Sequence, residues 1–136
     1  MIIASLYQFN DFGLLALRLA VGAIFIYHGR QKWAMWKMQP SQQMPANMLN
    51  MMKGLSIIEP IAGAAILTGY YTQAAAAILA IIMIGAIGMK MGPMKTPFAA
   101  QDKTGWEFDS MILAGCIMLF VAGAGSILAI DFSLLG

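Results

Sequence analysis

The sequence predicts an all-α fold, an integral membrane four-helix bundle. Three observations carry that prediction. Of 136 residues, 60% are hydrophobic and 10% are charged, against about 25% charged in a soluble domain. The mean hydropathy is +0.75. Four apolar segments, at about 12–29, 55–71, 73–89 and 109–130, approach the roughly 20 residues that a helix needs to cross a bilayer. The length suits a single domain over 1–136.

The first segment lies within FGLLALRLAVGAIFIYHGRQKW, residues 12–33. Arg18 lies inside it, and His28, the only histidine, lies near its far end. Arg30, Lys32 and Trp33 close it. An ionisable group inside a span is costly and calls for a partner or a function. Residues 1–11 carry no Lys or Arg. A cleaved leader needs a basic start, so a retained helix is expected.

The second and third segments sit near the lower length limit of about 17 residues. Only the GYYTQ turn separates them, so they form a helical hairpin. The fourth reads DSMILAGCIMLFVAGAGSILAI. Small residues recur in all four, among them Gly22, Gly29, Gly63, Gly85 and Gly115. They let membrane helices approach closely.

Charge sets the expected sidedness. Arg30, Lys32, Lys37 and Lys53 fall in the first long loop, and Lys90, Lys95 and Lys103 in the second. The N-terminus, the GYYTQ turn and the C-terminus hold no Lys or Arg. Basic loops stay inside. Both long loops are therefore expected to be cytoplasmic and both termini extracytoplasmic. In the first loop, Pro45 suits the opening of a short interfacial helix over 46–53. The second loop carries Pro93, Pro97 and Gly105 and reads as irregular.

Several chemistries are disfavoured. One cysteine, Cys116, makes no internal disulfide. One Cys and one His cannot supply a four-ligand metal framework, and haem would need a second axial ligand. The methionines of the first loop lack the repeat a copper site would suggest and read as apolar filler. A net charge of +2 gives no reason to expect nucleic acid. The lipid bilayer is the expected partner.

Three motifs in order carry a family resemblance. YHGRQKW at 27–33 follows Arg18 and Gly22; Glu59 precedes AGAAILTGYYTQAAA; and GAGSILAID spans 123–131. Together they resemble the DoxX family. Pro60, Ala124 and Ala129 depart from its pattern. The resemblance implies a four-helix, multi-pass protein of a bacterial or archaeal inner membrane. It also implies a redox setting, since the family includes a subunit of a thiosulfate:quinone oxidoreductase and members linked to thiol and oxidative-stress complexes. The expected function is a small subunit of such a complex with protein partners, contributing a quinone-binding pocket. The alternative is a non-catalytic structural or assembly subunit. A transporter is a third reading. No inverted repeat supports it, although Pro60 interrupts the second segment.

The candidate site residues are His28, Glu59, Arg18, Lys32, Trp33 and Asp109, with His28 and Glu59 the candidates for chemistry. His28 lies about 6 Å and Glu59 about 8 Å from the cytoplasmic end, at 1.5 Å of rise per residue. A carboxylate beside an imidazole favours its charged form. The pair suits a quinone carbonyl, or equally a buried contact that fixes packing. Arg18 lies about 9 Å from the outer end. Its expected partners are Ser126 and Asp131, in an ion pair that locks the first helix to the last or in a headgroup contact. Glu107 and Asp109 offset the dipole of the fourth helix; alternatively Asp109 joins His28 and Glu59. Trp33, Trp36 and Trp106 read as interface anchors or stacking surfaces, Tyr70 and Tyr71 as anchors, and Cys116 as packing.

Overall fold

A computed structural model describes residues 4–130. It contains α1 (Asn10–Gln31), α2 (Ala46–Thr68), α3 (Thr72–Met91) and α4 (Trp106–Ala122). Short 3-10 helices, Ala4–Phe9 and Lys32–Lys37, extend α1 at its two ends. There is no β-strand among the described residues. Three helical stretches are long and apolar enough to cross a membrane: Leu6–Lys37, Ala46–Thr68 and Thr72–Met91. With 17 residues, α4 is slightly shorter.

The outer faces are as apolar as the core. Ile81 is 70% exposed, Met111 76% and Val121 71%. In water such faces would aggregate; in hydrocarbon they are the solvated surface, and helices that are apolar all round are the expected form. The core itself holds Phe25, Ile66, Ala76, Leu79, Cys116 and Leu119, all fully buried.

Glycine decides how α1 meets α2. A Cβ on Gly22 would lie 2.8 Å from the Gly63 carbonyl oxygen, and one on Gly63 equally close to the Gly22 oxygen. A Cβ on Gly29 would lie 2.3 Å from two ring atoms of Pro60. The two backbones therefore touch where side chains are missing. By contrast, α2 and α3 pack more loosely on each other than α1 does on α2 or α3 on α4.

The helix ends differ from the sequence expectation in two places. The short helix at 46–53 does not end before the second span; it runs through Gly54 into it as one helix. A single interior glycine costs only about 1 kcal/mol, and its good helix-forming neighbours (Met51, Met52, Lys53, Leu55) outweigh it. The fourth helix does not reach residue 130. It stops at Gly123, which has φ 77°, and the chain folds back over α1. The carbonyls of Ala124, Ile127 and Leu128 are taken by Arg18 rather than by helical N–H groups.

The hairpin turn after α2 forms where expected. Gly69 caps α2 with φ 77°, and Tyr71, φ 47°, leads directly into α3. Gly69 also makes room: a Cβ there would lie 2.8 Å from the Arg18 guanidinium.

Candidate functional site

Four paired ionisable side chains, drawn from all four helical stretches, meet at the same end of the molecule. Lys32, just past α1, places its Nζ 2.5 Å from Oε2 of Glu59 on α2. Lys90 of α3 places its Nζ 2.7 Å from Oδ2 of Asp109 on α4, an ion pair without hydrogen-bond geometry. Glu59 is 2% exposed and Asp109 5%. A carboxylate so buried needs a cation beside it. Two pairs thus tie α1 to α2 and α3 to α4.

His28 stands within electrostatic reach of all four charges. Its ring centroid is 6.4 Å from that of Phe108. The expected His28–Glu59 pair is not what forms. Glu59 turns instead to Lys32, four residues beyond His28, whose ammonium reaches its carboxylate.

Pro60 explains the next layer. A proline has no N–H, so the carbonyl four residues earlier loses its helical donor. That carbonyl belongs to Ser56, and Trp33 Nε1 donates to it at 3.1 Å. Trp36 Nε1 donates to the Ser56 hydroxyl at 2.9 Å, and that hydroxyl donates to the Lys53 carbonyl at 2.6 Å. The 3-10 segment Lys32–Lys37 is thereby held against α2, which sets Lys32 beside Glu59. Trp33 remains 56% exposed, so its ring still faces outward as an anchor would.

A cavity of about 430 Å³ opens beside the Lys32–Glu59 pair, between α2 and α3. Its walls include Met51, Met52, Met89 and Gly85. His28, Arg18, Trp33 and Asp109 do not line it. The sequence reading missed the methionine walls, Gly85, Ser56 and Lys90. Lys90 carried a usable signal: a lysine at the end of one span and an aspartate at the start of the next share a depth, and both need a partner. The cavity carried none, because it arises from how two helices diverge.

Arg18 sits near the opposite end and is fully buried. Its Nε donates to Ile66 O, one terminal nitrogen to Ala124 O and Ile127 O, and the other to Leu67 O and Leu128 O. All five guanidinium donors are used on backbone carbonyls. The expected contact to Ser126 is not made; Ser126 bonds to Asp11 instead. Asp131 lies outside the described residues. The guanidinium caps the C-terminal end of α2, where the helix dipole is negative, and gathers the segment after α4. Arg18 therefore does not share the cavity's end of the molecule.

The fold and this site define a helical membrane protein with paired charges buried at one end. The chain belongs to the DoxX family, whose profile matches residues 13–92, the stretch from α1 through α3. No curated protein and no solved structure matches it.

Proposed function

We propose that this protein is a small membrane subunit of a quinone-linked or thiol/thiosulfate-linked redox complex, and that it binds a quinone in the cavity between α2 and α3. The observation that supports the reading is the Lys32–Glu59 pair in the wall of an otherwise apolar cavity of about 430 Å³. Ligand sites of this kind are mostly apolar with few polar groups, and volumes of about 300–1,000 Å³ are typical.

The donor set suits the ligand. Glu59 takes one of the three Lys32 N–H donors, which leaves donors for a ring carbonyl. Methionine sulfur makes favourable contacts with aromatic rings, so Met51, Met52 and Met89 suit a planar head. A bound quinone would supply the couple of two electrons and two protons. Lys32 holds a proton at Nζ next to the carbonyl, Glu59 fixes the position of that ammonium through their hydrogen bond, and the apolar walls exclude water. His28, which feels the charges of both ion pairs, is the nearby titratable group from which Lys32 could regain a proton through intervening water.

In this reading α4 is a fourth span, both long loops face the cytoplasm, and the chain resides in an inner membrane with its termini outside. The basic residues of the long loops support that orientation. A reading as a non-catalytic structural or assembly subunit draws on the ion pairs, which lock the helices with or without a ligand.

Purification in mild detergent from the native membrane, followed by solvent extraction, tests the proposal. Quinone should co-purify in near-stoichiometric amount and be lost in Gly85→Phe. Gly85 lines the cavity and a Cβ there meets nothing within 4 Å, so the larger side chain starts from open space and extends into the cavity. An intact partner complex with no quinone would favour the structural subunit instead.

A further inference from the structure

The cavity at Lys32 and Glu59 has a neighbour in the same seam. A second cavity of about 260 Å³ lies between α2 and α3, towards the hairpin turn, with Ile58, Ala65, Ala74 and Ile78 among its walls. Ile58 adjoins Glu59 in sequence. On α3, Ala74, Ile78, Ile82, Ala86 and Met89 follow one stripe at helical spacing, and that stripe lines both cavities. The head cavity reaches the outer surface at Gly85 and at Met51, which is 43% exposed. The second cavity is bordered by Ile58, 45% exposed, and Ile78, 46% exposed. The pair of charges thus stands at one end of an apolar track that faces lipid.

We propose that this track holds the isoprenoid tail of the ligand whose ring sits at Lys32 and Glu59, and that the ligand enters sideways from the bilayer between α2 and α3. The inference rests on the function proposed above and adds the entry route and the ligand class. The polarity of the site selects that class. One charged pair at the end of a long apolar groove matches an amphiphile with a single compact head and a hydrocarbon tail. A water-soluble ring would leave the second cavity unused. A phospholipid would bring a zwitterionic head and two chains to one lysine and one track. The loose packing of α2 on α3 is what opens the route, since α1 on α2 and α3 on α4 pack far more closely.

The test measures binding of two probes to the purified full chain in detergent, by quenching of its Trp fluorescence. One probe is 2,3-dimethoxy-5-methyl-1,4-benzoquinone, which has no tail; the other is the same ring with a ten-carbon tail. Three variants are compared with the wild type. Gly85→Phe blocks the head cavity. Ala74→Phe obstructs only the second one, on an exposed position. Gly88→Phe is the control, since Gly88 lines neither cavity and a Cβ there also meets nothing within 4 Å.

Gly85→Phe should weaken both probes at least tenfold, and Gly88→Phe neither. Ala74→Phe should weaken the tailed probe about tenfold and leave the tail-less ring within twofold. Comparing variants with a single probe cancels the partition of the tail into the micelle. Equal response of both probes to Ala74→Phe would overturn the tail track while leaving the head site standing. Absence of binding by either probe to the wild type would overturn the proposed function itself, and the track with it.

Discussion

Trp33 donates its indole N–H, at 3.1 Å, to the carbonyl of Ser56, an oxygen whose helical donor position is occupied by Pro60. The proline that interrupts α2 therefore creates an acceptor, and the segment leaving α1 uses it. This contact has a measurable signature. Trp33→Phe should destabilise the protein by about 1 kcal/mol, the net value of a typical hydrogen bond. In a Pro60→Ala background residue 60 regains its N–H and claims the Ser56 oxygen. The same tryptophan change should then cost less than half as much. Thermal or denaturant unfolding of the four proteins in detergent gives the coupling. Equal costs in both backgrounds would show that the indole and the proline act separately.

Gly29 meets the other face of that proline. A Cβ on Gly29 would overlap two Pro60 ring atoms at 2.3 Å. Gly29→Ala should cost about 1–3 kcal/mol, the usual penalty of overpacking. Pro60→Ala removes those ring atoms and should restore most of the loss. The double variant is expected to be more stable than Gly29→Ala alone, a sign that additivity would not produce.

The Lys32–Glu59 pair makes a third case. Removing one member leaves a desolvated charge, so Glu59→Gln should cost about 3 kcal/mol. Replacing both with methionine keeps volume and removes both charges. Lys32→Met/Glu59→Met should recover most of that stability. It should lose quinone binding altogether, because stability and binding use the same two groups for different ends.

Arg18 should tolerate no substitution well, including the one that keeps its charge. Lysine carries three donors where five carbonyls now find partners. Arg18→Lys should therefore lower stability by about 3 kcal/mol or more. It should also expose residues 123–130 to limited proteolysis at protease levels that leave the wild type intact.

Cys116 offers a simple reading of core integrity. It is fully buried and pairs with nothing among the described residues. Maleimide should label it slowly in the folded protein and completely after unfolding in SDS. Faster labelling in Gly29→Ala than in the wild type would report the loosened α1–α2 contact directly.

Much of the fold was legible from residue order alone, because bilayer solvation leaves a chain few choices. Long apolar runs must be helices, since every backbone polar group has to be paired internally. Glycine at 22, 29 and 63 announced close approach, and GYYTQ announced a hairpin. Buried charges announced that they would need partners. Which partners they took was not legible. His28, Lys32 and Glu59 lie at compatible depths, and it is the close approach of α1 to α2 at Gly29 and Pro60, together with the indole bonds of Trp33 and Trp36 to Ser56, that gives Glu59 to Lys32. Arg18 was expected to meet Ser126 and Asp131; among the described residues it meets five carbonyls, because a helix end and a folded-back segment together offer a negative potential. The cavity between α2 and α3 belongs to neither helix. It comes from the space two looser neighbours leave, and no one-dimensional pattern records a space.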